Sequence, residues 1–222
     1  MNRTFKSFRM IAGAAAPVAL VVSALAVSAP FAAAPAIAQG APSAQLQEVV
    51  GALRGISTLR ASFTQTDRNG QRVGGELTLK RPGKIRFQYQ KGVPMLIVGD
   101  GKALIMIDYE VRQVQRWPIA NSPLGAIIDP RRDVASFGKI QPTGSPDVIS
   151  VEVRDSKHPE YGVITLVFVR KPSAPGGLEL VNWVALDSQN KRTTIRLSNH
   201  QYGVAVSDDA FRWKDPRSPT RR

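Results

Sequence analysis

The stretch Leu77-Thr-Leu-Lys-Arg-Pro-Gly-Lys-Ile-Arg-Phe-Gln-Tyr89 sets a charged residue, Arg81, in line with a face that is otherwise apolar. Counted by twos, Leu77, Leu79 and Arg81 share one side of a strand, and Thr78 and Lys80 take the other. Beyond Pro82-Gly83, Ile85, Phe87 and Tyr89 share a side against Lys84, Arg86 and Gln88. A hairpin with a two-residue turn would set Leu79 opposite Arg86 and mix apolar with charged side chains on both faces. A three-residue loop, Pro82 to Lys84, is therefore expected; it pairs Leu79 with Phe87 and Leu77 with Tyr89, with Arg81 at the rim of one continuous apolar face. A guanidinium on that side needs partners.

Period two also holds upstream, where Leu59, Ala61, Phe63 and Gln65 share a face before a turn at Asn69-Gly70. Further strands are expected over 75–81, 85–90, 95–98, 103–108, 111–117, 148–154, 162–169, 178–186 and 193–201, with Asp100-Gly101 as a hairpin turn. Met95-Leu-Ile-Val98 and Ala103-Leu-Ile-Met-Ile107 are apolar on both sides, so a helix or a ligand should cover the second side. Helical spacing occurs twice. Leu46, Val49, Val50, Leu53 and Ile56 form one stripe ending near Gly55, and Leu124, Ile127 and Ile128 form a shorter one between Pro123 and Asp129-Pro130. Many antiparallel strands and two apolar helices predict a mainly β protein, a curved sheet or open barrel holding helices on its concave side.

The first 38 residues read as an export signal. Arg3, Lys6 and Arg9 form a basic n-region, 10–27 an apolar Ala-rich core, and Ala36-Ile37-Ala38 has the small-x-small form of a cleavage site. Residues 39–44 read as a flexible tether, 45–216 as one domain, and 217–222 as a basic tail. Cysteine is absent, which excludes a disulfide framework, a thiol nucleophile and a lipid-anchoring cysteine. Export without disulfides points to a bacterial periplasm. The formal net charge is +13, and +10 without the three leader cations. Lys and Arg are spread along the chain, not stacked with interleaved aromatics, so solvated strand faces are expected and no nucleic-acid partner.

Enzyme chemistry finds no support. The chain has no Gly-x-Ser-x-Gly elbow, glycine-rich phosphate loop, His-Glu-x-x-His or calcium-loop spacing. His158 before Pro159 and His200 at a strand end read as surface residues, so no metal and no cofactor are expected. Asp208-Asp209 reads as a solvated turn before Phe211.

The order and spacing of several pieces resemble the periplasmic outer-membrane lipoprotein carrier family, LolA. They are Leu59-Arg-Ala-Ser-Phe-Thr-Gln65, Gly75-Glu-Leu-Thr-Leu-Lys-Arg-Pro82, Ile97-Val-Gly-Asp-Gly-Lys102, Asn121-Ser-Pro-Leu124, Thr193-Thr-Ile-Arg-Leu197 and Phe211-Arg-Trp213. The resemblance implies an incomplete, half-open antiparallel β-barrel with an α-helical lid over an apolar cavity. It implies a non-enzymatic carrier, expected to be monomeric, that takes triacylated lipoproteins from an inner-membrane lipoprotein-releasing ABC transporter to an outer-membrane acceptor or membrane. Arg81 matches the arginine that bonds lid carbonyls and holds the empty cavity shut. Leu124, Ile127, Ile128 and Leu53 match lid positions, while Gly125 and Ala126 give the lid less bulk than the family's larger apolar residues. Ile85, Phe87, Leu96, Val98, Leu104 and Met106 are candidate liners of the acyl-chain cavity by alternation or apolar density. Two other readings use the same fold: a carrier of free lipid or glycolipid, and a sensor of mislocalised lipoprotein.

Overall fold

The protein is described from a computed structural model, which defines residues 43–119, 125, 128, 129 and 135–217. The leader and residues 39–42 of the expected tether lie outside these residues; Ser43 and Ala44, expected as tether, are instead the cap and first residue of a helix.

Helix α1 spans Ala44–Gly55. It starts where the Ser43 hydroxyl oxygen accepts the Leu46 N–H at 3.3 Å, and Arg54 lies in its last turn, where a cation suits the helix dipole. The stripe Leu46, Val49, Val50 and Leu53 is buried, as helical spacing requires.

Eleven strands follow: β1 (Thr58–Thr66), β2 (Arg72–Lys80), β3 (Lys84–Tyr89), β4 (Met95–Asp100), β5 (Ala103–Asp108), β6 (Gln113–Pro118), β7 (Gly138–Gln141), β8 (Val148–Arg154), β9 (Val163–Arg170), β10 (Leu178–Leu186) and β11 (Arg192–Tyr202). They form one antiparallel sheet in the order β6-β5-β4-β3-β2-β1-β11-β10-β9-β8-β7, so β1 joins two meanders and the sheet ends at β6 and β7 without closing. Aspartates shape its turns. The Asp100 carboxylate accepts the N–H groups of Lys102 and Ala103 at 2.8 Å each, and Asp67 does the same for Asn69 and Gln71.

The sheet is strongly curved. Phe87 on β3 and Trp183 on β10 are four strand steps apart, about 19 Å on a flat sheet at roughly 4.8 Å per step. Their ring centroids are nevertheless 5.8 Å apart, edge to face. The curved interior therefore gathers side chains from distant strands, including Leu77, Phe63, Leu197, Leu166, Phe168 and Val151, into one core with the buried stripe of α1.

Phe63 stands at the centre of this interior, edge-on to Phe87 at 5.3 Å and to Tyr89 at 5.2 Å. Its ring fits because residue 75 is glycine: a Cβ there would lie 2.6 Å from Phe63 Cε1 and overlap the Gln88 carbonyl oxygen.

The β2–β3 hairpin has the expected three-residue loop at a different place. The loop is Arg81-Pro82-Gly83, with a cis Arg81–Pro82 peptide; Lys80 pairs with Lys84, Leu79 with Ile85 and Leu77 with Phe87. The expected register is thus off by two residues. An even slip preserves side-chain parity, so Leu77, Leu79, Ile85, Phe87 and Tyr89 still share the inner face.

Two further expectations are corrected. Strand β7 was not anticipated, because Ile140 is its sole large apolar residue. The second apolar side of β4 and β5 is covered neither by a helix stripe nor by a ligand, but by the segment after β11: Val206 and Phe211 are buried against Leu96, Val98, Ile105 and Ile107. This segment crosses the outer face through a 3-10 turn, Asp208–Phe211, and is held by Thr58 Oγ1 donating to Val204 O at 2.8 Å and Arg86 Nη1 donating to Ala210 O and Arg212 O.

Because a new methyl at residue 75 has no space, Gly75→Ala is expected to lower the unfolding free energy by about 1–3 kcal/mol in urea titration. Near-neutral behaviour would mean that Phe63 has another place to go.

Candidate functional site

The candidate site is the inner face of the sheet together with the residues described beyond β6: Ile119, Gly125, Ile128 and Asp129. Paired residues on adjacent strands share a face, so Phe87 opposite Ile97, Ile97 opposite Met106 and Leu104 opposite Trp117 define one inner apolar row. Along it burial falls steadily. Ile85 and Phe87 are buried; Met95, Ile97, Leu104 and Met106 are half-buried; Trp117, on the edge strand, is 44% exposed. The apolar lining thus runs from the closed core to an accessible edge.

Of the candidate cavity liners, Ile85, Phe87, Leu104 and Met106 lie on this face. Leu96 and Val98 do not. They pair with Gln88 and Arg86, which puts them on the outer face beneath the C-terminal segment, where they are 2% and 0% exposed. Strands apolar on both sides carry no alternation, so parity had to come from their neighbours. Ile97 and Met95 are the inner-facing residues that apolar density alone passed over.

Beyond β6, Ile119 and Ile128 pack into the interior. Ile119 N–H donates to the Lys102 carbonyl at 3.1 Å, and Ile119 and Ile128 are 3% and 2% exposed, in the same apolar cluster as Leu53 of α1. Gly125 and Ile128 are helical, and Asp129 N–H donates to the Gly125 carbonyl at 2.8 Å. Residue 125 packs directly on Ile119: a Cβ there would overlap the Ile119 carbonyl oxygen, so the small residue lets the chain approach itself closely. Leu124 and Ile127 lie outside the described residues.

Arg81 joins this segment to the sheet. Its N–H donates to the Ser57 carbonyl at 2.9 Å, and Nη1 donates to the Ile128 carbonyl at 2.5 Å. Burial pushes the Arg81 pKa down to about 10, opposed by the Asp129 carboxylate. The guanidinium therefore remains charged at neutral pH, and its bond to Ile128 is charge-assisted. Arg81 sits in the loop and not at the strand end where alternation placed it.

Elsewhere, His158 is exposed, with Nδ1 3.0 Å from Glu160 Oε1. His200 is not the surface residue expected. Its side chain is 4% exposed, with Nε2 2.9 Å from the Leu180 carbonyl oxygen and Nδ1 3.7 Å from Glu179, whose carboxylate accepts from Lys171 Nζ at 2.8 Å. The strand-end position hid its burial: β11 pairs with β10 over Arg192–Arg196, and His200 lies beyond those rungs, within reach of the Leu180 carbonyl. Asp208 is exposed in a turn, as expected, and also pairs with Lys80 and Lys84. Among the described residues no group of three or more His, Cys, Asp or Glu could hold a metal ion, and no helix is long and apolar enough to cross a membrane.

Residues 54–214 match the family described as outer membrane lipoprotein carrier protein LolA. The chain belongs to the LolA family. The family consists of lipoprotein carriers, which are transport proteins and not enzymes. An outer-membrane lipoprotein carrier protein of Xanthomonas campestris pv. campestris (strain B100) is 29% identical over 181 residues, covering 75% of this chain and 82% of that one. The corresponding carrier of Dechloromonas aromatica (strain RCB) is 28% identical over 196 residues, covering 84% and 89%. Among solved structures, the LolA superfamily protein NE2245 from Nitrosomonas europaea aligns with a TM-score of 0.41 at 9% identity, covering 75% of this chain and 97% of that one.

The two sides of β4 can be separated by experiment. Leu96→Ala should cost about 2–5 kcal/mol of stability, as deletion of a buried leucine does, while leaving the affinity for a fluorescent fatty acid unchanged. Ile97→Asp should weaken that affinity; an effect of equal size from Leu96→Ala would contradict the assignment of faces.

Proposed function

We propose that this LolA-family protein shields the acyl chains of lipoproteins between the inner face of its sheet and the segment carrying Ile119 and Ile128. It does so while moving them through the periplasm from an inner-membrane lipoprotein-releasing ABC transporter to an outer-membrane acceptor or membrane. The observation that carries this reading is the bond from Arg81 to the Ile128 carbonyl. It ties the sheet to the covering segment at the end of an apolar lining that grades from buried to exposed. Family membership supplies the lipoprotein cargo, and the inner face supplies the chemistry to hold it.

The energetics suit a reversible latch. A hydrogen bond to a charged group contributes about 1.5–3 kcal/mol. Burying an acyl chain at about 0.8 kcal/mol per methylene yields on the order of 10 kcal/mol per chain. The latch can therefore keep the empty interior closed and still yield to cargo. Ile85, Phe87, Leu104, Met106, Ile97 and Met95 are the proposed acyl contacts, with Leu53, Ile119 and Ile128 on the covering side.

Arg81→Leu is expected to leave the fold intact and to raise the uptake rate of a neutral naphthylamine dye by about tenfold or more, the factor corresponding to loss of a charged hydrogen bond. Dye uptake at the wild-type rate would sink the latch assignment. The carrier function itself is tested by incubating the protein with spheroplasts that hold labelled triacylated lipoprotein and a matched transporter. Label should leave the membrane in a soluble one-to-one complex. Retention of label in the presence of folded protein would overturn the carrier reading.

A further inference from the structure

Arg81 sits in a loop whose base is clamped from the opposite side of the sheet. Lys80 and Lys84 are direct cross-strand partners on the last rung of the β2–β3 hairpin, and both side chains point to the outer face. Two ammonium groups placed opposite each other repel. Here one carboxylate oxygen bridges them: Asp208 Oδ1 lies 2.7 Å from Lys80 Nζ and 2.9 Å from Lys84 Nζ. Lys80 Nζ also donates to the Val206 carbonyl at 2.9 Å. These two lysines bracket Arg81-Pro82-Gly83, so whatever sets the separation of the rung sets where the loop points.

From this geometry we infer that Asp208 is a positioning residue for the Arg81 latch, acting through Lys80 and Lys84 across the sheet. The inference rests on the latch reading proposed above and extends it to a residue on the far face.

The C-terminal segment is well placed to hold Asp208 still. Val206 and Phe211 on either side of it are buried against β4 and β5. The Ser207 hydroxyl oxygen accepts the Asp209 N–H at 3.2 Å at the start of the 3-10 turn, and the Phe211 ring centroid lies 5.9 Å from Lys84 Nζ. Hydrogen bonds from the two lysines hold the Asp208 carboxyl well down, at about 2, so it is ionised wherever the protein works. Neutralising it leaves the segment's apolar anchors in place but restores the repulsion on the rung beneath the loop. Asp209, one residue on, pairs with Arg212 at 2.9 Å and does not bridge the hairpin.

The test is a double-mutant cycle read by uptake of the neutral naphthylamine dye, with thermal unfolding of every variant recorded alongside. Asp208→Asn is expected to raise the uptake rate by about threefold, the factor corresponding to loss of a solvent-exposed ion pair. Asp208→Glu should restore slow uptake, and Asp209→Asn should match the wild type. In an Arg81→Leu background, Asp208→Asn should add nothing, because the group it positions is gone. A merely structural role would instead raise uptake by the same factor in both backgrounds, and that result would overturn the inference. So would wild-type uptake in Asp208→Asn while Arg81→Leu is fast, an outcome that leaves the latch reading standing. If Arg81→Leu itself takes up dye at the wild-type rate, the latch reading fails and this inference falls with it.

Discussion

Phe87 meets Trp183 across four strand steps because the sheet bends far enough to bring β3 over β10. That curvature sets the terms for everything else. A flat antiparallel sheet of this width would need a layer of helices to bury one apolar face, and the described residues include one long helix. By curling, the sheet supplies most of its own cover, with α1 and the segment through Ile128 completing it. The core is thus shared between the strands with α1 and a covering piece whose Ile128 carbonyl accepts from Arg81. In a LolA-family carrier that division is useful, since the space occupied by the cover is the space proposed for acyl chains.

The two ends of the inner face are unequal. From β11 to β3 it is closed over by Phe63, Phe87, Tyr89 and the helix stripe, at burial typical of a packed interior. Toward β6 it becomes accessible at Met106 and Trp117. An apolar chain entering from the edge would meet flexible methionines before it met interlocked rings. Methionine adapts to irregular apolar shapes at small cost, which would suit the proposed contact with acyl chains of different length. In the proposed cycle the rings would form the fixed wall and the β4–β6 end the adjustable one.

How much of this could be read from the chain follows from what alternation encodes. For β1 to β3, polar and apolar residues alternate cleanly, so facing was legible even though the hairpin register was misplaced by two residues; parity survives an even slip. For β4 and β5 alternation is silent. Leu96 and Val98 looked as suitable for a cavity as Ile97, and only pairing with Gln88 and Arg86 shows that they face outward. Likewise Arg81 was visible as a charge in the wrong company, yet its partner is a backbone carbonyl, which leaves no trace in residue identity. Asp208 was less legible still. Its ion pairs join positions more than 120 residues apart, and an exposed acidic pair ahead of an aromatic looks the same with or without two lysines beside it.

The outer cover of β4 and β5 explains why those strands abandon alternation. They are apolar on both sides: packed against Val206 and Phe211 outside, and carrying the half-buried row proposed for acyl chains inside. A strand buried on one side only would lose much of its apolar contact in the proposed opening of the inner cover. Leu96, Val98, Ile105 and Ile107 keep theirs, because the C-terminal segment does not depend on Ile128 for its seat. Double-sided burial therefore lets this end of the sheet present an open apolar surface without losing the packing that keeps it a sheet. The segment that provides it also delivers Asp208 to the base of the Arg81 loop, so the same 3-10 turn that stabilises the wall stands next to the proposed latch.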